Sequence, residues 1–67
     1  MREWMKNTRT NKGLTQQYVA KRLGITKQYY QQIEDGKRQV DLSTSLVLSL
    51  ATVFEMSPIE IMDFENK

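Results

Sequence analysis

Apolar and polar positions recur along this chain with the period of an α-helix, and glycines and capping residues cut the pattern into five segments. Over residues 2–12, Trp4, Met5 and Thr8 fall at i, i+1 and i+4, with Met1 extending the stripe and Arg9 on its inner edge. This predicts a first helix, with Trp4 in the core. Thr15 is placed to cap a second helix, in which Val19, Ala20 and Leu23 form the apolar stripe and Gly24 closes it. Ile25 then plugs inward, and Thr26 caps a third helix whose inner face carries Tyr30 and Ile33. Asp41 or Ser43 caps a fourth, where Leu42, Leu46, Leu50 and Val53 are flanked by Val47, Leu48, Ala51 and Phe54. Nearly apolar all round, it should be the most buried helix. Ser57-Pro58-Ile59-Glu60 has the pattern of a capping box with proline at N1, starting a short fifth helix over about residues 58–64. Gly13, Gly24 and Gly36 fall where the first three helices end. The pattern predicts an all-α fold in a single domain, 1–67, with Glu65 to Lys67 frayed.

Composition narrows the chemistry. The chain has 67 residues, near the lower limit for a core that folds without staples. It contains no cysteine and no histidine, which removes disulfides, the usual zinc sites, imidazole bases and thiol nucleophiles. No metal site, cofactor or small-molecule ligand is evident, and scattered carboxylates offer no set for catalysis, so an enzyme is not expected. No apolar run approaches the roughly 18 residues of a membrane span, and the N-terminus lacks a signal-peptide core. A cytoplasmic protein is the expectation. The charge is uneven: residues 1–40 hold nine Lys or Arg against three acids (+6), and residues 41–67 hold one against five (−4), for a net +2. A basic body with an acidic end suits a protein that puts one face on a polyanion.

Residues 15–34 therefore read as a helix-turn-helix, with Lys27, Gln28, Gln31 and Gln32 left outward on its second helix. Lysine donates to guanine O6 and N7, and glutamine pairs bidentately with adenine, so this face has the chemistry to read base edges in a major groove. Gln16 opens its own helix, where unpaired amides and a partial positive charge seat a phosphate. Lys37 and Arg38, in the polar loop after Gly36, are further phosphate candidates, and Tyr29 can touch phosphate or sugar. One such helix reads only four or five base pairs, so specific binding needs two copies on half-sites about 34 Å apart. Ile59, Ile61, Met62 and Phe64 are more apolar surface than the fifth helix can bury on one small core, the mark of a hydrophobic lid or a dimer seam.

The run KGLTQQYVAKRLGITKQYYQQIEDGKR resembles the phage repressor and Cro-type helix-turn-helix family, also called the xenobiotic-response-element family. Its pattern matches at Gly13, Leu14, Thr15, Gln16, Val19, Ala20, Leu23, Gly24, Ile25, Thr26, Ile33, Glu34 and Gly36. The resemblance implies a compact five-helix, lambda-repressor-like fold and a transcriptional regulator that binds a palindromic operator on double-stranded DNA. It implies a bacterial or prophage setting, and residues 27–34 as the recognition helix. It places Thr15 and Gln16 at the DNA backbone, with Gln16 bracing the first recognition side chain. It implies an internal ion pair between Arg9 and Glu34, and a homodimer through the C-terminal part, with Ile59, Met62 and Phe64 as the seam. The chain departs from the pattern where Tyr30 fills a buried aliphatic position, its hydroxyl expected to reach the edge. It departs again near Val40, where the usual proline is missing and the loop is a residue or two longer. An antitoxin or protein-interaction module on the same fold is the alternative reading.

Overall fold

A computed structural model describes residues 2–36 and 42–66, which form five helices and no strand among the described residues. They are α1 (Glu3–Asn11), α2 (Gln16–Leu23), α3 (Lys27–Asp35), α4 (Thr44–Phe54) and α5 (Pro58–Glu65). The candidates Lys37, Arg38, Val40 and Asp41, with Met1 and Lys67, lie outside the described residues.

Local chemistry sets most of the boundaries. The side chains of Thr15, Thr26, Ser43 and Ser57 each accept a hydrogen bond from a backbone N–H in the first turn of the helix they precede. At Ser57 the Glu60 carboxylate also accepts from the Ser57 N–H, completing the box with Pro58 at N1. The turn between α2 and α3 is a Schellman motif: the Gly24 N–H donates to Lys21 and the Ile25 N–H to Ala20, with Gly24 at φ +73°. A side chain on Gly24 would meet open space, so only the left-handed backbone requires glycine there. The same bonding pattern closes α4, yet Glu55 occupies the left-handed position at φ +55°.

The core gathers one to three residues from each helix: Met5, Val19, Ala20, Tyr30, Ile33, Leu50, Ala51, Phe54 and Ile61. Fully burying a side chain of this size stabilises the fold by about 1.5–3 kcal/mol. Two expectations need correction, and a third holds on one side only. Leu50, Ala51 and Phe54 of the fourth helix are buried, more apolar core residues than any other described helix supplies, while Leu48 on its outer side is 53 % exposed. A domain this small has too little mass to cover a helix on every side. Trp4 lies half-buried outside the core, stacked on Phe64 with ring centroids 5.2 Å apart. Glu65 does not fray: it accepts two hydrogen bonds from Arg2, at 2.9 and 3.0 Å, and one from the Trp4 indole, at 2.8 Å. No single helix among the described residues is long and apolar enough to cross a membrane.

Candidate nucleic-acid interface

The third helix divides cleanly along its length. Tyr30, Ile33 and Glu34 are buried, and Lys27, Gln28, Tyr29, Gln31 and Gln32 are exposed. With 3.6 residues per turn, burying positions 30, 33 and 34 turns 27, 28, 31 and 32 toward solvent as one surface. The four candidate base-reading side chains thus share one continuous polar face.

Beside the start of that face, the N-terminal turn of α2 and the first residue of α3 frame an open hollow. It is lined by Arg9, Leu14, Thr15, Gln16, Gln17 and Lys27. The backbone amides at the start of α2 and the Lys27 ammonium are thereby brought to one place, an arrangement that favours an anion. The Thr15 hydroxyl oxygen accepts from the Tyr18 N–H, which leaves its own hydrogen to donate. Tyr29 is exposed and lines a second hollow with Ser43 and Ser45 at the start of α4.

Below this surface lies a buried ionic cluster. Arg9 Nε and Nη2 donate to the two Glu34 oxygens at 3.0 and 3.1 Å, and Arg9 Nη1 donates to the Leu14 carbonyl at 2.8 Å. Gln16 Nε2 donates to Glu34 Oε1 at 3.3 Å, so one amide hydrogen of Gln16 is directed inward. Burial raises the Glu34 carboxyl, but the hydrogen bonds and charge of Arg9, with the neighbouring Tyr30 hydroxyl and the Gln16 amide adding to them, outweigh it and hold the group below its ordinary value. The Glu34 carboxylate in turn raises the Arg9 guanidinium, overriding its partial desolvation. Tyr30 corrects an expectation: its hydroxyl does not reach the edge but is buried beside this cluster, without a hydrogen bond of good geometry. Burial first, and then the neighbouring Glu34 charge, push that hydroxyl far above its usual titration range.

The candidate seam residues separate. Ile59 is 70 % and Met62 55 % exposed, whereas Phe64 spends one ring face on Trp4. Residues that sequence reasoning left out complete the surface: Leu42, Val47, Leu48 and Pro58 line an apolar hollow together with Met62. Periodicity assigned those α4 residues to the core, and nothing in it marks which side of an all-apolar helix lacks a neighbour.

The helix-turn-helix family profile matches residues 5–61. Two relatives from Bacillus subtilis (strain 168) are similar to this chain. One, an uncharacterized HTH-type transcriptional regulator, YqaF, is 44 % identical over 45 residues, covering 67 % of this chain and 59 % of the relative. The other, an SPbeta prophage-derived uncharacterized HTH-type transcriptional regulator, YonR, is 49 % identical over 47 residues, covering 70 % of this chain and 44 % of the relative. The match thus spans about half the length of these relatives. No solved structure matches the chain.

Proposed function

From the premise that this chain belongs to the helix-turn-helix family, we propose that it is a sequence-specific regulator that binds double-stranded DNA. The observation that carries this reading is the undivided polar face of α3, on which Lys27, Gln28, Gln31 and Gln32 are all exposed while Tyr30, Ile33 and Glu34 anchor the opposite side. In this reading α3 lies in the major groove. Lys27 and Gln28, at its N-terminal end, enter deepest, and Gln31 and Gln32 follow one turn later. A phosphate sits at the start of α2, held by the helix amides and by the second amide hydrogen of Gln16, with Lys27 nearby. Thr15 contributes through the turn it caps, and Tyr29, Lys37 and Arg38 add backbone contacts on the flank.

Regulation follows from occupancy, in that a protein seated on an operator obstructs polymerase there. Two copies bind the two halves of a palindrome, joined through the exposed apolar side of α4 and α5. The body measures 26 × 25 × 21 Å, so two copies side by side can set their third helices on successive turns of DNA, about 34 Å apart. The uncovered Leu48, Ile59 and Met62 support such a seam.

The test is selection of sites from a random duplex pool at moderate salt. Enrichment of an inverted repeat with centres about 10 base pairs apart is the expected result. A lone half-site would remove the paired arrangement. No enrichment would overturn the reading and shift weight to an interaction module that uses the same apolar side, as an antitoxin does.

A further inference from the structure

Arg2 joins two parts of the molecule that sequence places far apart. Its backbone N–H donates to the Glu34 carbonyl at 2.8 Å and its Nη1 to the Ile33 carbonyl at 2.6 Å. Both carbonyls belong to the last turn of α3, whose acceptors have no partner within their own helix. That turn carries no basic residue of its own, and the Arg2 cation, lent from the start of α1, sits where the helix dipole is negative. The same guanidinium gives its Nε to both oxygens of Glu65, in the last turn of α5. The Trp4 indole donates to that carboxylate too, and its ring stacks on Phe64 at an interplanar angle of 7°. One planar fork therefore spans from the end of α3 to the end of α5.

We propose that Arg2 and Glu65 are positioning residues that fix the angle between the base-reading helix and the apolar side of α5. In a paired protein they thereby set which half-site spacing it accepts. This rests on the DNA-binding reading above. The physical argument is one of lever and anchor. α3 reads the groove and α5 helps to form the seam between copies. The separation of two α3 helices on DNA depends on the angle each makes with its own seam. A guanidinium bonded at three points to groups on both helices holds that angle, because its donors diverge in a fixed plane. A lysine, with one compact ammonium, cannot reach the Ile33 carbonyl and both Glu65 oxygens in the same geometry.

The experiment measures binding of the full chain to a single half-site and to a series of paired half-sites with different spacers. The variants are Glu65→Ala, Arg2→Lys and, as a control removing an equal charge from the same helix, Asp63→Ala. Circular dichroism and sedimentation verify fold and pairing. Glu65→Ala and Arg2→Lys should keep half-site affinity within about twofold of wild type, while the preference for the best spacer falls roughly two- to thirtyfold, the span for residues that couple two sites. Asp63→Ala should keep the preference. Folded, paired Glu65→Ala and Arg2→Lys that retain the full spacer preference would overturn the proposal. So would an equal loss on single and paired sites, which would make the clasp only structural. A wild-type chain with no DNA binding or no spacer preference would instead remove the paired DNA-binding reading, and the proposal with it.

Discussion

The guanidinium of Arg9 and the carboxylate of Glu34, 25 positions apart in sequence, meet through two hydrogen bonds of 3.0 and 3.1 Å inside the helical core. The pair fixes α1 against the end of α3, and Glu34 is 1 % exposed. Removing one partner leaves the other charged and desolvated. Glu34→Ala or Arg9→Ala should therefore lower stability by about 3–5 kcal/mol, whereas replacing both with apolar residues of similar volume should cost much less. Urea unfolding of the two single variants and of Arg9→Met/Glu34→Leu measures this. Single variants as stable as wild type would mean that the pair is effectively solvated.

The same pair makes stability depend on pH with a defined sign. The folded Glu34 carboxyl lies below its ordinary value of 4.5, so in acid the unfolded chain binds a proton more readily than the folded one. Its contribution is fully present above pH 4.5 and is lost as pH falls through the depressed folded value. Thermal melts from pH 6 to pH 2 should show wild type losing more stability than Glu34→Gln below about pH 4.5. Parallel curves for the two proteins would contradict this.

Tyr30 carries a buried hydroxyl with no hydrogen bond of good geometry. Leaving such a group unsatisfied costs about 1–3 kcal/mol. Tyr30→Phe is therefore expected to hold or raise the melting temperature, since the ring packing is kept. A clear fall would show that the hydroxyl is bonded to Glu34 in solution.

Glu55 holds a left-handed backbone where the other Schellman turns of this chain use glycine. Glu55→Gly relieves that strain and gives back part of the gain as unfolded-state entropy, for a net stabilisation of roughly 0.5–1 kcal/mol. Gly24→Ala should act in the opposite direction, at φ +73°. Denaturant midpoints of the two variants settle the ordering.

Gln28→Ala tests the base-reading role proposed for the exposed face of α3. The side chain is exposed and outside the core, so the fold should survive unchanged. Affinity for the selected site should drop by about 1–3 kcal/mol, with affinity for random duplex nearly unaffected at the same salt. Equal loss on both DNAs would remove Gln28 from the reading set.

How far could the residues alone carry the architecture? The helices were legible because their signals are local. A hydroxyl at a cap, a glycine at a left-handed turn or Pro58 at N1 acts within four residues. The inward side of α3 was legible as well, because Tyr30 and Ile33 recur at helical spacing. The Arg9–Glu34 contact was expected only through family resemblance, since no local rule pairs residues so far apart.

What remained hidden concerns surfaces and distant partners. Leu48 and Leu50 are the same residue type on one helix, yet Leu50 is fully enclosed and Leu48 is 53 % exposed. Only the placement of the other helices decides between them. Glu65 looked like a loose acidic end until Arg2 and Trp4 were brought to it from 63 and 61 positions away. The sequence by itself determined where helices start and stop and which polar residues α3 can present. Tertiary structure alone decided which apolar positions lack a cover and which charges meet, because those outcomes depend on packing among all five helices.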